Sequence, residues 1–137
     1  MSKPYIEVAA AVILNEGKCL IAQRRADQHL ANMWEFPGGK IKKEESPEEC
    51  LVRELQEELG IQVRVGDLLE SVLHHYEDRD IRLYFFYAVI ESGTPQKIQV
   101  QDIRWVPLQE LEEYEFPPAD DELIKLLIGD EIEGNFQ

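Results

Sequence analysis

Residues 46–60, SPEECLVRELQEELG, spell out both ends of a helix, and this segment constrains the fold more than any other. Ser46 suits the N-cap, Pro47 suits the first helical position because the amide it lacks would go unpaired there, and Glu49 completes a capping box. Gly60 suits the other end, where the chain must enter the left-handed region. Between these caps Leu51, Val52, Leu55 and Leu59 fall on one apolar face that has to be buried against something. Another face is acidic: Glu54, Glu57 and Glu58 stand at i, i+3 and i+4, where like charges cost about 0.2–0.5 kcal/mol per pair.

The runs on either side say what the apolar face packs on. "YIEVAAAVIL" and "KCLIAQRR" are rich in β-forming residues and are separated by Asn15-Glu16-Gly17, a hairpin turn in sequence. A polar loop then leads to the helix. Beyond the helix come three β-like runs, roughly Gln62–His75, Ile81–Glu91 and Ile98–Val106, then an acidic segment and a last helix near Ala119–Ile128. No repeat or long linker divides the 137 residues, so residues 1–137 are expected to form a single domain. Strands interleaved with two helices predict an α/β fold with helices packed on a sheet.

Charge narrows the partners. Fourteen basic against 28 acidic residues leave a net charge of -14, and a polyphosphate backbone or an anionic membrane repels such a surface. Neither a nucleic-acid polymer nor a membrane is expected as a partner, and nothing in the pattern demands an obligate protein partner. The apolar run Val8–Leu14 is too short to cross a bilayer, and no targeting segment is read. Cys19 and Cys50 lack metal-ligand spacing and sit in apolar patterns, so buried thiols in a reducing, cytoplasmic setting are expected.

The acidic helix face calls for a cation. Hard carboxylate oxygens suit Mg²⁺ or Mn²⁺, which would cancel the repulsion and bridge to phosphate oxygens. From these three glutamates alone, a solvated acidic face explains the spacing equally well.

The surrounding positions decide between the two. Gly39, Glu45, Arg53-Glu54-Leu55, Glu57-Glu58 and Gly60-Ile61 match, position for position, the pattern of the Nudix hydrolases, which this chain therefore resembles. "RRADQHLANMWEFPGGK", "DRDIRLYFF" and "FPPAD" are similar to segments of the MutT branch, whose members hydrolyse oxidised purine nucleoside triphosphates. The resemblance implies an α/β/α sandwich with a mixed sheet and Mg²⁺-dependent cleavage of 8-oxo-dGTP to monophosphate and pyrophosphate. It implies that Glu54, Glu57, Glu58 and the Gly38 carbonyl hold the metal, and that Glu54 orients or deprotonates water. Arg53 would pair with Glu45 and hold the loop against the helix.

For the nucleotide, the resemblance points to Arg24, His29, Glu35, Phe36, Pro37, Gly38, Arg79 and Asp120. Read singly, Arg24 and Arg79 could be solvated surface arginines and His29 a loop histidine. Trp34 and Phe36 are core or base-stacking residues, with Phe36 favoured for a pocket because it adjoins Pro37-Gly38. Gly38-Gly39 is expected to let the backbone turn tightly and approach a ligand.

Two positions depart from the MutT pattern. Gln99 stands where a loop glutamate is usual, six residues before Trp105, and an amide cannot act as a base. Glu54 alone, or another acid such as Asp102, would then have to suffice. Asp120 stands where the pattern has asparagine, and an ionised aspartate only accepts. CTP pyrophosphohydrolases of the family look similar here, so CTP or a modified deoxycytidine triphosphate stays open as substrate. A nucleotide-binding module that has lost catalysis is a further alternative, supported by Gln99 alone.

Overall fold

The computed structural model describes residues 3–133. Seven strands form one mixed sheet: β1 (Tyr5–Asn15), β2 (Lys18–Gln23), β3 (Trp34–Glu35), β4 (Gly38–Lys40), β5 (Gln62–His75), β6 (Asp80–Ser92) and β7 (Asp102–Pro107). The main path runs β3-β2-β1-β6-β5, with β4 on β1 and β7 on β2. Two helices, α1 (Pro47–Leu59) and α2 (Asp121–Glu133), complete the fold. Among the described residues no helix is long and apolar enough to cross a membrane.

The local chemistry of the caps is realised. Ser46 Oγ accepts from the Glu49 amide while Glu49 reaches back to the Ser46 amide, and Gly60 closes α1 in the left-handed region at φ 71°. The hairpin turn places Glu16 and Gly17 at φ 53° and 78°, the mirror-image turn whose twist suits two antiparallel strands.

Because β1 alternates, its two sides serve two cores. Ala9, Ala11 and Ile13 pack with Leu51, Leu55 and Leu59 of α1; Ala10 and Val12 pack with Leu123, Ile124 and Leu127 of α2. The helices therefore cover opposite faces of the sheet. Cys19 and Cys50 are free and buried, as expected.

Four sequence expectations shift. Val52 is 45% exposed, because a 100° step carries it off the Leu51–Leu55–Leu59 stripe, and Cys50 fills the core instead. The polar loop before α1 contains two short strands, β3 and β4. The run begun at Ile98 becomes a strand only at Asp102, since the amides of Ile98 and Gln99 bind the Glu58 carbonyl at the end of α1. The last helix begins after a 3-10 turn, Pro118–Asp120, rather than at Ala119.

Candidate active site

Gly38 and Gly39 lie in a strand, not the expected tight turn, and neither has positive φ. Their small size has two separate uses. A Cβ on Gly38 would run into the Ala9 carbonyl of β1, and one on Gly39 would overlap the Glu54 carboxyl. Gly38 thus lets β4 close on β1, and Gly39 leaves room for a helix carboxylate beside the strand.

Arg53 organises the acids of α1. Its Nε donates to Glu45 Oε2 at 2.7 Å and its Nη2 to Glu45 Oε1 at 3.0 Å, a two-pronged pair, while Nη2 also reaches the Lys40 carbonyl at 3.1 Å. Its Nη1 donates to Glu54 at 2.6 Å and to Glu57 at 3.2 Å. The loop is therefore strapped to the helix, and part of the acidic repulsion is offset internally. Hydrogen bonds from Arg53 and the Lys42 amide draw the Glu45 carboxyl down to about 2. A carboxyl depressed on folding stabilises above its unfolded value and loses that contribution as it protonates. The stability advantage of wild type over Glu45→Gln is thus expected in full above about pH 4.5 and closes as pH falls toward about 2. Thermal melts of both proteins across this window check it, and a pH-independent gap contradicts it.

A cavity of about 460 Å³ opens beside these residues. Its floor is the parallel pair β1–β6, whose register sets Ile6 beside Ile81, Val8 beside Leu83 and Ala10 beside Phe85. Glu54 and Glu58 of α1 line it, together with Gly38, Arg24, His29, Glu35, Phe36, Arg79 and Asp120. Phe36 contacts Phe85 and Phe116, whereas Trp34 packs away from the cavity under Tyr114 and the Arg104 guanidinium.

Several expected residues do not face the cavity. Glu57 lies outside it beside Arg53, with a half-exposed carboxylate, and Arg53 itself stays behind the acids. Pro37 is buried, and its carbonyl accepts from the Ala11 amide at 2.8 Å. Gln99 and Asp102 are also absent from the lining; the Asp102 carboxylate caps the Ile103 amide and lies near Lys97 and Arg104. Tyr76, which no sequence motif singled out, joins the wall and meets the His29 ring edge-on. The alternation of β1 and β6 announced the apolar floor, but not which face would stay open.

The electrostatics are unusual. Burial, with Glu35 and Glu54 nearby, pushes the Glu58 carboxyl up to about 9, and a hydrogen bond to Glu54 also favours its protonated form. Among the described residues no three acidic, histidine or cysteine side chains converge as an ion cage, consistent with Glu54 and Glu57 being turned to Arg53. Asp120 is 5% exposed, and no hydrogen bond or ion pair of its carboxyl is found among the described residues. Burial pushes it up to about 8, with Glu35 and Asp121 adding to the shift and Arg24 opposing it. Burial thus favours the protonated form near neutral pH, in which this carboxyl donates as well as accepts, whereas an ionised, accept-only aspartate is expected from the sequence.

Fold and site together define a hydrolase that sets helix-borne carboxylates beside a nucleotide-sized cavity. The chain belongs to the Nudix family: the NUDIX domain model matches residues 9–126. It is 41% identical over 124 residues to the CTP pyrophosphohydrolase of Escherichia coli (strain K12), covering 90% of this chain and 92% of that one. It is 40% identical over 123 residues to the 8-oxo-dGTP diphosphatase of the same organism, covering 89% and 95%. The solution structure of the E. coli ORF135 protein superimposes with a TM-score of 0.81 at 37% identity, covering 96% of this chain and 94% of that one. As a Nudix hydrolase, the protein is an enzyme.

Proposed function

We propose that this enzyme is a cytoplasmic, single-domain, Mg²⁺-dependent pyrophosphohydrolase of oxidised purine nucleoside triphosphates, 8-oxo-dGTP foremost, releasing monophosphate and pyrophosphate. One observation carries the reading: the same cavity holds the Glu54–Glu58 pair and the buried Asp120, whose carboxyl has no partner among the described residues, with an apolar floor for a base. A buried polar group without a partner costs about 1–3 kcal/mol, which a ligand that pairs with it recovers. Oxidation gives guanine an N7–H next to the O6 acceptor, whereas unmodified guanine offers two acceptors there. A side chain that both accepts and donates tells the two apart.

The donor set fits a hard divalent cation, the general cofactor of the family: two hydrogen-bonded carboxyls face the cavity beside a glycine cradle. Glu54, Glu58 and the Gly38 carbonyl would hold it, with Glu57 reached from the outer side. When bound, such an ion offsets phosphate charge and polarises the phosphoryl oxygens. Glu54, held by the Arg53 guanidinium, orients the attacking water and accepts its proton. Arg24, His29 and Arg79 line the phosphate path as donors, and Phe36 and the floor exclude water from the base.

A second reading, CTP or a modified deoxycytidine triphosphate, is favoured by Asp120 itself and by the CTP pyrophosphohydrolase at 41% identity. Cytosine N3 and N4–H₂ also offer an acceptor beside a donor. The expected result is a higher kcat/KM for 8-oxo-dGTP than for dGTP or CTP with Mg²⁺. Asp120→Ala is expected to cost the true substrate about 1–3 kcal/mol of transition-state binding. A wild-type preference for CTP transfers the assignment to the second reading. An unchanged kcat/KM for both nucleotides in Asp120→Ala removes Asp120 from the pocket.

A further inference from the structure

Three amide side chains that no motif singles out tie the loop between β2 and β3 to the segment that leads into β7. Gln101 donates through Nε2 to Asn32 Oδ1 at 3.0 Å and to Gln23 Oε1 at 3.3 Å. Gln23 donates through its own Nε2 to the Asn32 carbonyl at 3.0 Å, and its carbonyl accepts from the Gln101 amide at 2.9 Å. The loop so held, residues 24–33, gives Arg24, Gln28, His29 and Leu30 to the cavity. It is also strained. Leu30 and Asn32 have φ of 56° and 66°, in the left-handed region, which is costly for leucine and persists only where surrounding contacts over-determine it. Some of those contacts are local: the Asn32 amide donates to the Arg24 carbonyl at 3.1 Å, and the Arg24 guanidinium donates to the His29 carbonyl and to Glu35 Oε1, both at 2.7 Å. Gln101 instead reaches the loop from a distant part of the chain. Its own segment is anchored at the other end, where the amides of Ile98 and Gln99 bind the Glu58 carbonyl at 3.2 and 3.1 Å and that of Gln96 binds the Leu59 carbonyl at 2.9 Å. The segment thus braces the end of α1 against the loop.

We propose that Gln101 is a positioning residue for nucleotide binding: through Asn32 it holds loop 24–33 in the strained form that presents Arg24, His29 and Leu30 to the cavity. This rests on the reading of the cavity as a nucleotide site. A loop that is set before the ligand arrives spares binding the entropy of ordering it, so loss of the brace weakens binding and leaves the chemical step alone. The segment that carries Gln99, where the MutT pattern has a glutamate, then has a mechanical task in this chain. Gln99 stands outside the cavity, and its amide is taken by the Glu58 carbonyl.

The test measures kcat and KM for 8-oxo-dGTP and for CTP with Mg²⁺ in wild type, Gln101→Ala, Asn32→Ala and the double variant, together with hydrogen exchange of each ligand-free protein. Gln101→Ala is expected to raise KM for the preferred nucleotide about three- to tenfold, the range that one net hydrogen bond spans, with kcat within about twofold of wild type. The amides of Arg24 and Asn32 are expected to exchange faster by a similar factor while those of β1 and β6 keep their rates, because Gln101 is exposed and its main-chain bond to Gln23 survives. In the Asn32→Ala background the Gln101 substitution is expected to add little. An unchanged KM, a kcat that falls at constant KM, or losses that simply multiply in the double variant overturn the proposal. Exchange that is unchanged in the loop overturns it too, as does exchange that is faster everywhere, the mark of a destabilised fold. If wild type turns over neither nucleotide, the reading of the cavity fails on its own, and the exchange rates, which need no ligand, decide whether Gln101 holds the loop.

Discussion

Glu58→Gln will lower turnover at saturating nucleotide and Mg²⁺ by about a hundredfold or more while leaving the fold intact. The substitution keeps the size and shape of a side chain that borders the cavity and takes away the charge it must develop to hold a cation. Stability separates this effect from damage to the fold. A carboxyl raised to about 9 on folding costs stability progressively as pH climbs from its unfolded value toward that point, and glutamine carries no such cost. In EDTA, Glu58→Gln is therefore expected to melt no lower than wild type near pH 5 and higher by pH 9. Glu57→Gln should reduce turnover less, since its carboxylate sits with Arg53 outside the cavity. Unchanged kinetics in Glu58→Gln would leave the acidic face as nothing more than solvated surface.

The largest loss of stability is expected from Gly38→Ala. The added methyl meets the Ala9 carbonyl and comes within 2.8 Å of Ala10 Cα, both main-chain atoms of a strand locked between β4 and β6. Neither can swing aside as a side chain can, so β4 must leave β1. A cost of about 1–3 kcal/mol or more follows, a sizeable share of the stability of a domain of this size. Gly39→Ala provides the contrast, because its methyl meets the movable end of Glu54. It should spare much of the melting temperature and lose activity instead. If Gly38→Ala melts with wild type, the closeness of β4 to β1 is not what demands glycine there.

What could be read from the sequence was local chemistry. The capping box, Gly60 and the Glu16-Gly17 turn depend on side chains within a few residues of the backbone they satisfy, and each lies where the sequence puts it. The Arg53–Glu45 pair was legible through the family pattern, and the structure adds that the same guanidinium also holds Glu54 and Glu57. What escaped was set by distant neighbours. β3 and β4 have two and three residues, too few for a periodic pattern, and exist because β2 and β1 offer them open edges. Val52 looked apolar enough for the core, and the sheet decided for Cys50. The protonation of Asp120 could not be read from its identity, because it follows from burial beneath the chain and from an arginine occupied elsewhere.

The floor of the cavity has a consequence for how the molecule comes into being. β1 leaves the ribosome well before its parallel partner β6, with Tyr5 waiting for Asp80 and Ile13 for Ala88. Parallel pairing across such a span cannot be closed by a tight turn and must wait for everything between to be made. Until then Ile6, Val8 and Ala10 have no β6 neighbours, and Arg24 and Glu58 surround a pocket lacking Arg79 and Asp120. The cavity of a nascent chain is therefore incomplete until Asp120 has been made, and the β6-facing side of β1 spends that time as an open edge for chaperones or for another nascent copy.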